Sequence, residues 1–219
     1  MPKQIELAVQ QTIIPDYRMG GFDLLSGRLG DGFIVFAGEH DFGGSPISSD
    51  AAWGRYTKVS NHYCLGSRLL WQSGMIRSLL EAKVVILNGN LRILSNYPVL
   101  FMRRVLGRRT LLWSHADGRS RMGRLLRRLY CHLSNGIVAY TESDKEVFCV
   151  QCPSIPVWVA PNSCVYAGDC LPVSIPLNDL PTAFIYVGRL IEEKKVDSLL
   201  RAFSVAVKAG SLPDEARLI

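Results

Sequence analysis

Apolar and polar positions come in blocks along this chain, and the blocks switch between short continuous runs and helical spacing. Ile5 to Val9, Phe33 to Ala37, Val84 to Leu87, Leu111 to Trp113, Gly136 to Tyr140 and Val157 to Ala160 are short apolar runs. Runs of this length between polar stretches predict buried strands of a parallel sheet. Tyr56 to Leu65 is a further candidate strand. Between the runs, apolar residues recur at helical spacing: Phe22, Leu24, Leu25 and Leu29; Leu69, Leu70, Ile76, Leu79 and Leu80; Val99 to Leu106, with Pro98 near the start. A further helix is predicted from about Arg119 to Leu133, where Met122, Leu126, Leu129, Tyr130 and Leu133 share one stripe. Thr141 to Asp144 reads as a helix cap and first turn. Strands alternating with helices predict an α/β fold with a parallel sheet.

The same alternation restarts near the end of the chain. Tyr166 to Thr182 carries prolines and a glycine with little periodicity, as an interdomain linker does. Phe184 to Val187 then predicts a short buried strand. Gly188 and Arg189 follow, then the charged turn Glu192 to Lys195, and then a helix with Val196, Leu199, Leu200 and Phe203 on one face. Ala216 to Ile219 reads as the start of another strand. The expected organisation is one domain over 1–165, a linker over 166–182, and the opening of a second domain over 183–219. A unit shorter than about 40 residues rarely forms a core alone, so the chain is expected to be a fragment or the product of a shortened reading frame.

Composition adds little to the class but something about partners. The chain has 219 residues, 48% hydrophobic and 20% charged, as globular domains do. No apolar run reaches the roughly 18 residues that span a bilayer. The start lacks the apolar stretch of a secretion signal, and the six cysteines form no compact framework, so reduced thiols and a cytoplasmic location are expected. Cys149 and Cys152 make a single CxxC at a probable helix end, which does not suggest zinc. Basic charge is concentrated: residues 101–130 hold nine arginines against one acid, Asp117, in a chain of net charge +6. Within the helix, Arg121, Arg124 and Arg128 form a stripe beside the apolar one, with Arg127 next to it and Arg119 at the helix start. Such a face suits anionic lipid headgroups at about 1 kcal/mol per basic residue. Nucleic acid is not expected, because the patch lacks interleaved aromatics and any binding motif.

Loops after strands carry the remaining chemistry. Gly20-Gly21 is expected to lie between the first strand and its helix, where glycines permit close approach to a ligand. The long loop from Gly38 to Trp53 contains Glu39, His40 and Asp41, but no further ligand spacing supports a metal. Asn88-Gly89-Asn90 and Ser114-His115-Ala116 each follow a strand. No GxGxxG follows the first strand, which argues against a typical dinucleotide site.

The stretch Val187-Gly188-Arg189-Leu190, with Glu193, Lys194, Val196 and Asp197 after it, resembles the opening of the second domain of family 4 glycosyltransferases. Trp113-Ser114-His115-Ala116 is similar to that family's W-x-H-G, with alanine after the histidine. Thr141 and Ser143 match its T-x-S, and Pro161 and Asn162 its P-N-G, with Ser163 in place of the glycine. The resemblance is weak before residue 110 and strong at 184–203. It implies two Rossmann-like domains facing a cleft, the GT-B arrangement, the first for the acceptor and the second for the nucleotide sugar. It implies that Arg189 and Lys194 contact the donor diphosphate, with Gly188 and the pair Gly20 and Gly21 nearby, and that His115 is catalytic, orienting the donor sugar.

The activity so implied is retaining transfer of a sugar from a nucleotide-diphosphate sugar to a glycan or lipid-linked acceptor. Arg189, Lys194 and helix amides would neutralise the departing diphosphate, so no cofactor and no metal are expected. The family's paired glutamates would fall in a part of the second domain that this chain lacks, so the 219 residues alone are expected to be nearly inactive. Two other readings stand beside this one: a non-catalytic acceptor- or membrane-binding module, and a sugar-nucleotide isomerase of the same two-domain type.

Overall fold

The computed structural model describes residues 4–44, 47–50, 52, 56–116, 121–161, 183–188, 194–213 and 215–219. The chain divides into two units, Met1–Ala167 and Gly168–Ile219.

The first unit is a seven-stranded parallel sheet. Its strands are β1 (Leu7–Gln10), β2 (Phe33–Ala37), β3 (Thr57–Lys58), β6 (Val84–Asn88), β7 (Arg109–Ser114), β8 (Gly136–Ala139) and β9 (Val157–Val159), in the order β3-β2-β1-β6-β7-β8-β9. Between β3 and β6 the chain makes an antiparallel hairpin, β4 (Ser60–Cys64) and β5 (Leu69–Ser73). The helices are α1 (Asp16–Leu29), α2 (Ile76–Glu81), α3 (Asn96–Val105), α4 (Arg121–His132) and α5 (Glu142–Gln151). This is a Rossmann-like parallel-sheet domain, as the alternating pattern predicts. Strand order reverses between β1 and β6, and in open parallel sheets ligands bind at that switch point, beyond the carboxyl ends of the strands.

Successive strand residues feed two separate cores, as a period of two requires. Ala8, Phe36, Val85, Leu87 and Leu112 pack with Leu79, Val99, Leu100, Tyr130 and Phe148 from α2 to α5. Val9, Val35 and Ala37 face the other way with Phe22 of α1, where Ile86 and Trp113 join them.

Two polar devices hold this frame. At the amino-terminal edge of the sheet, Arg103 of α3 is fully buried. It donates to the carbonyls of Leu79 and Ala82 (2.8 Å), which end α2, to Arg109 O (2.6 Å) and to Thr110 Oγ1 (2.8 Å) at the start of β7. Burial and the neighbouring Arg108 pull its pKa down to about 10, which still leaves it charged at neutral pH. At the opposite edge, buried amides tie the hairpin to the sheet. Gln72 of β5 accepts from Gln10 and donates to Gln11 O (3.1 Å) and Asn61 Oδ1 (2.8 Å), while Gln10 Oε1 accepts from Asn88 N (2.9 Å) and Asn96 Nδ2 (3.0 Å).

Three expectations change. Leu69 and Leu70 belong to β5, not to a helix; their spacing to Ile76 and Leu79 mimics a helical face across the break at Gly74. Gly20 and Gly21 lie inside α1, because the helix starts directly after Pro15. On α4, Leu126 and Leu129 of the predicted stripe are exposed while Tyr130 and Leu133 turn to the core, and Arg127 is buried beside them.

In the second unit, β10 (Ala183–Phe184) pairs in parallel with β11 (Arg217–Leu218), joined through α6 (Val196–Lys208). Phe184 stacks edge-on against Phe203, with ring centroids 5.9 Å apart. The expected burial of Phe184 to Val187 is not seen: Phe184, Ile185 and Val187 are exposed, because among the described residues only one helix covers this strand pair. The linker expected over 166–182 lies outside the described residues.

Candidate functional site

Three strands end around one polar pocket of about 390 Å³ at the switch point. Asn88 comes from the end of β6, Trp113 and Ser114 from β7, and Tyr140 directly follows β8. Arg18 enters from the first turn of α1 and Arg127 from the middle of α4. Gly89 has to be glycine, since a Cβ there would meet the Ser114 Cβ at 2.3 Å.

His115 stands at the rim, and its orientation is fixed on two sides. Its Nδ1 lies 3.0 Å from Asp144 Oδ2, and its ring stacks on Tyr140 with centroids 4.2 Å apart. Asp144 is itself held: Oδ1 accepts from the Ala116 amide (2.8 Å) and Oδ2 from the Thr141 hydroxyl (2.9 Å), while Thr141 caps α5 by accepting from the Asp144 amide (3.0 Å). Partial burial pushes the Asp144 pKa up, but the Ala116 amide, His115 and Thr141 together outweigh it and hold the carboxyl below its ordinary 3.8. An ionised Asp144 requires the proton on His115 Nδ1, so Nε2 is left to contact a ligand.

Behind His115 the aromatic stack continues to Trp113, whose ring lies 5.6 Å from that of Tyr140. Arg18 spreads over this stack, with its guanidinium carbon 4.9 Å from the Trp113 ring centre and 5.4 Å from that of Tyr140. It donates to the Tyr140 hydroxyl (2.6 Å) and to Gln11 Oε1. Burial pushes the Tyr140 pKa up against the opposing pull of Arg18, so the phenol stays neutral. Arg127 donates from Nη1 to Gly89 O (2.9 Å) and Ser114 Oγ (2.6 Å), which ties α4 to the ends of β6 and β7.

Of the residues expected from sequence to form a site, His115 lies in this pocket. Arg127 does too, as a correction: the sequence pattern places it beside the lipid-facing arginines of α4, and hydrogen bonds to buried oxygens draw it inward. Arg124 and Arg128 are exposed as expected, Arg121 is in α4, and Arg119 lies outside the described residues. Gly20 and Gly21 offer no loop amides, and a Cβ on Gly21 would meet nothing within 4 Å, so no close backbone approach requires it. Gly188 and Lys194 are both exposed in the second unit, Gly188 after β10 and Lys194 just before α6. Lys195 between Lys194 and the helix is left-handed, at φ 49°. Arg189 lies outside the described residues. Sequence reasoning missed Arg18, Tyr140 and the contact by which Asp144 orients His115; only the polar run Thr141 to Asp144 hinted at the last.

The arrangement offers a positioned imidazole, two guanidinium groups, neutral amide and hydroxyl groups, and an aromatic wall, which together suit a polyhydroxylated or anionic ligand. Among the described residues no helix is long and apolar enough to cross a membrane. A scan against protein-family models and a search of curated proteins each returned no match.

Proposed function

We propose that this chain carries the acceptor-side domain and the first donor-binding residues of a retaining glycosyltransferase that uses a nucleotide-diphosphate sugar. The observation that carries the reading is His115: an imidazole oriented by Asp144 and Tyr140, at the end of a central strand, beside a pocket with room for a sugar ring. In this reading His115 Nε2 contacts a hydroxyl of the transferred sugar. Gly188, Arg189 and Lys194 meet the diphosphate, and the amides at the start of α6 add to the positive potential on the leaving group. The residues at the pocket meet the acceptor, a glycan or a lipid-linked sugar.

Lipid-linked acceptors suit the outer surface of the first unit. Phe101 and Val105 of α3 and Leu125 and Leu129 of α4 are exposed, and Arg124 and Arg128 stand among them. Tyr97 and Tyr130 bring the two helices together, with ring centroids 5.1 Å apart. Leucines flanked by arginines suit the interface of an anionic bilayer. Sedimentation with anionic vesicles at low salt is the expected outcome, weakened by Leu125→Ser with Leu129→Ser; a chain that stays in the supernatant would overturn the membrane assignment.

For the main reading, ligand-observed NMR of the chain with UDP-, GDP- and ADP-sugars is expected to detect one donor series. Arg189→Ala and Lys194→Ala weaken the nucleoside diphosphate and the intact donor alike, whereas His115→Ala weakens only the intact donor. EDTA leaves binding unchanged. Absence of binding by every donor tested sinks the proposal.

A further inference from the structure

The pocket beside His115 carries more positive charge than contact with a neutral sugar requires. Arg18 and Arg127 both line it, and among the described residues of its lining there is no carboxylate. Asp144 approaches through His115, but both its oxygens are occupied by Ala116, Thr141 and His115 itself. Asp41 lines a smaller adjoining pocket of about 160 Å³, where Arg18 also appears.

Arg18 is the informative cation. Among the described residues its hydrogen-bond acceptors are the Gln11 amide oxygen and the Tyr140 phenol, both neutral. Its Nε is buried and has no acceptor, and neither has the indole Nε1 of Trp113 against which it stacks. Gln11 adds a third such donor: its Oε1 is committed to Arg18, and its Nε2 is buried with no partner. A half-buried guanidinium at the pocket, with only neutral acceptors, suits an anion of high charge density.

We propose that this pocket binds a phosphoryl group through Arg18 and Arg127. Two guanidinium groups match the charge and the several oxygens of a phosphate better than they match a carboxylate. Resting on the glycosyltransferase reading, the consequence is that the acceptor is phosphorylated, because the donor diphosphate belongs to Arg189 and Lys194 in the other unit.

The test is a titration of the isotope-labelled full chain followed by amide NMR, at constant ionic strength. Separate samples receive inorganic phosphate, a soluble hexose phosphate, a short-chain phosphatidic acid and acetate. Saturable shifts at Gly89, Asn90 and His115 with the phosphates, and not with acetate, are expected. Arg18→Gln is expected to weaken them roughly tenfold or more, with Arg18→Lys recovering part of the loss, as for a charge-assisted contact. Arg127→Lys keeps the charge at the buried position and serves if other substitutions there unfold the chain; it is expected to weaken binding less than Arg18→Gln. Arg77→Ala, at an exposed position of α2 outside the pocket lining, is expected to change nothing. Tighter binding of the hexose phosphate points to a soluble acceptor, and tighter binding of the phosphatidic acid to a lipid one. No shift up to about 10 mM, shifts confined to residues 183–219, or equal shifts with acetate would overturn the proposal. Failure of donor binding alongside intact phosphate binding would remove the transferase reading and leave this site standing. Donor binding together with binding of an uncharged acceptor sugar, both untouched by Arg18→Gln, would do the opposite.

Discussion

Replacing Asp144 with asparagine separates charge from shape at the rim of the site. The folded carboxyl has a pKa below its ordinary 3.8. Its stabilising contribution is therefore fully present above that value and is lost as the pH falls through the folded pKa. Wild type is expected to be more stable than Asp144→Asn at neutral pH, and the difference is expected to shrink at about pH 3. Urea unfolding at the two pH values measures this, and an unchanged difference would show that the carboxylate charge is not what matters. Arg103 offers the contrast of a buried charge with a purely structural task. Arg103→Met strands the carbonyls of Leu79, Ala82 and Arg109, and is expected to cost about 3 kcal/mol or more, read as a lower urea midpoint with donor affinity retained in the surviving folded protein.

Helices and strands differ in how openly they announce themselves. β2 was legible to the residue, because Phe33–Ala37 is an apolar run closed by Gly32 and Gly38. The α5 cap was legible as well, since Thr141 accepts from Asp144 as the residue types suggest; Thr141→Ala is expected to destabilise by about 1 kcal/mol in a thermal melt. β5 was not, because the chain breaks at Gly74, at φ 94°, while one hydrophobic series from Leu69 to Leu80 runs on across strand and helix. The face of α4 was misread for a physical reason. Periodicity ranks leucine as inward and arginine as outward, but Gly89 O and Ser114 Oγ offer Arg127 buried acceptors that no linear pattern displays. The site suffered most from this. His115 could be singled out beside its strand, whereas Arg18, Tyr140 and Gln11 meet only through the sheet order, across more than a hundred residues of chain.

At the scale of the whole molecule the first unit contains the complete seven-stranded sheet and both hydrophobic cores. Residues 1–167 expressed alone are accordingly expected to fold cooperatively and to keep phosphate binding, as circular dichroism and the same NMR titration would report; a chain that stays unfolded would show that the second unit is needed for the first. The brace at Arg103 has a consequence for motion. It locks the end of α2, the last turn of α3 and the starts of β6 and β7 into one block on the side of the sheet away from His115. Amide protons there are expected to exchange slowest, at rates set by global unfolding, while those of Gly89 to Arg92 and His115 exchange through local opening. The first unit would then breathe from one side only, like a book bound along its spine, and a ligand that closes the open side would slow exchange at the rim without altering the bound edge.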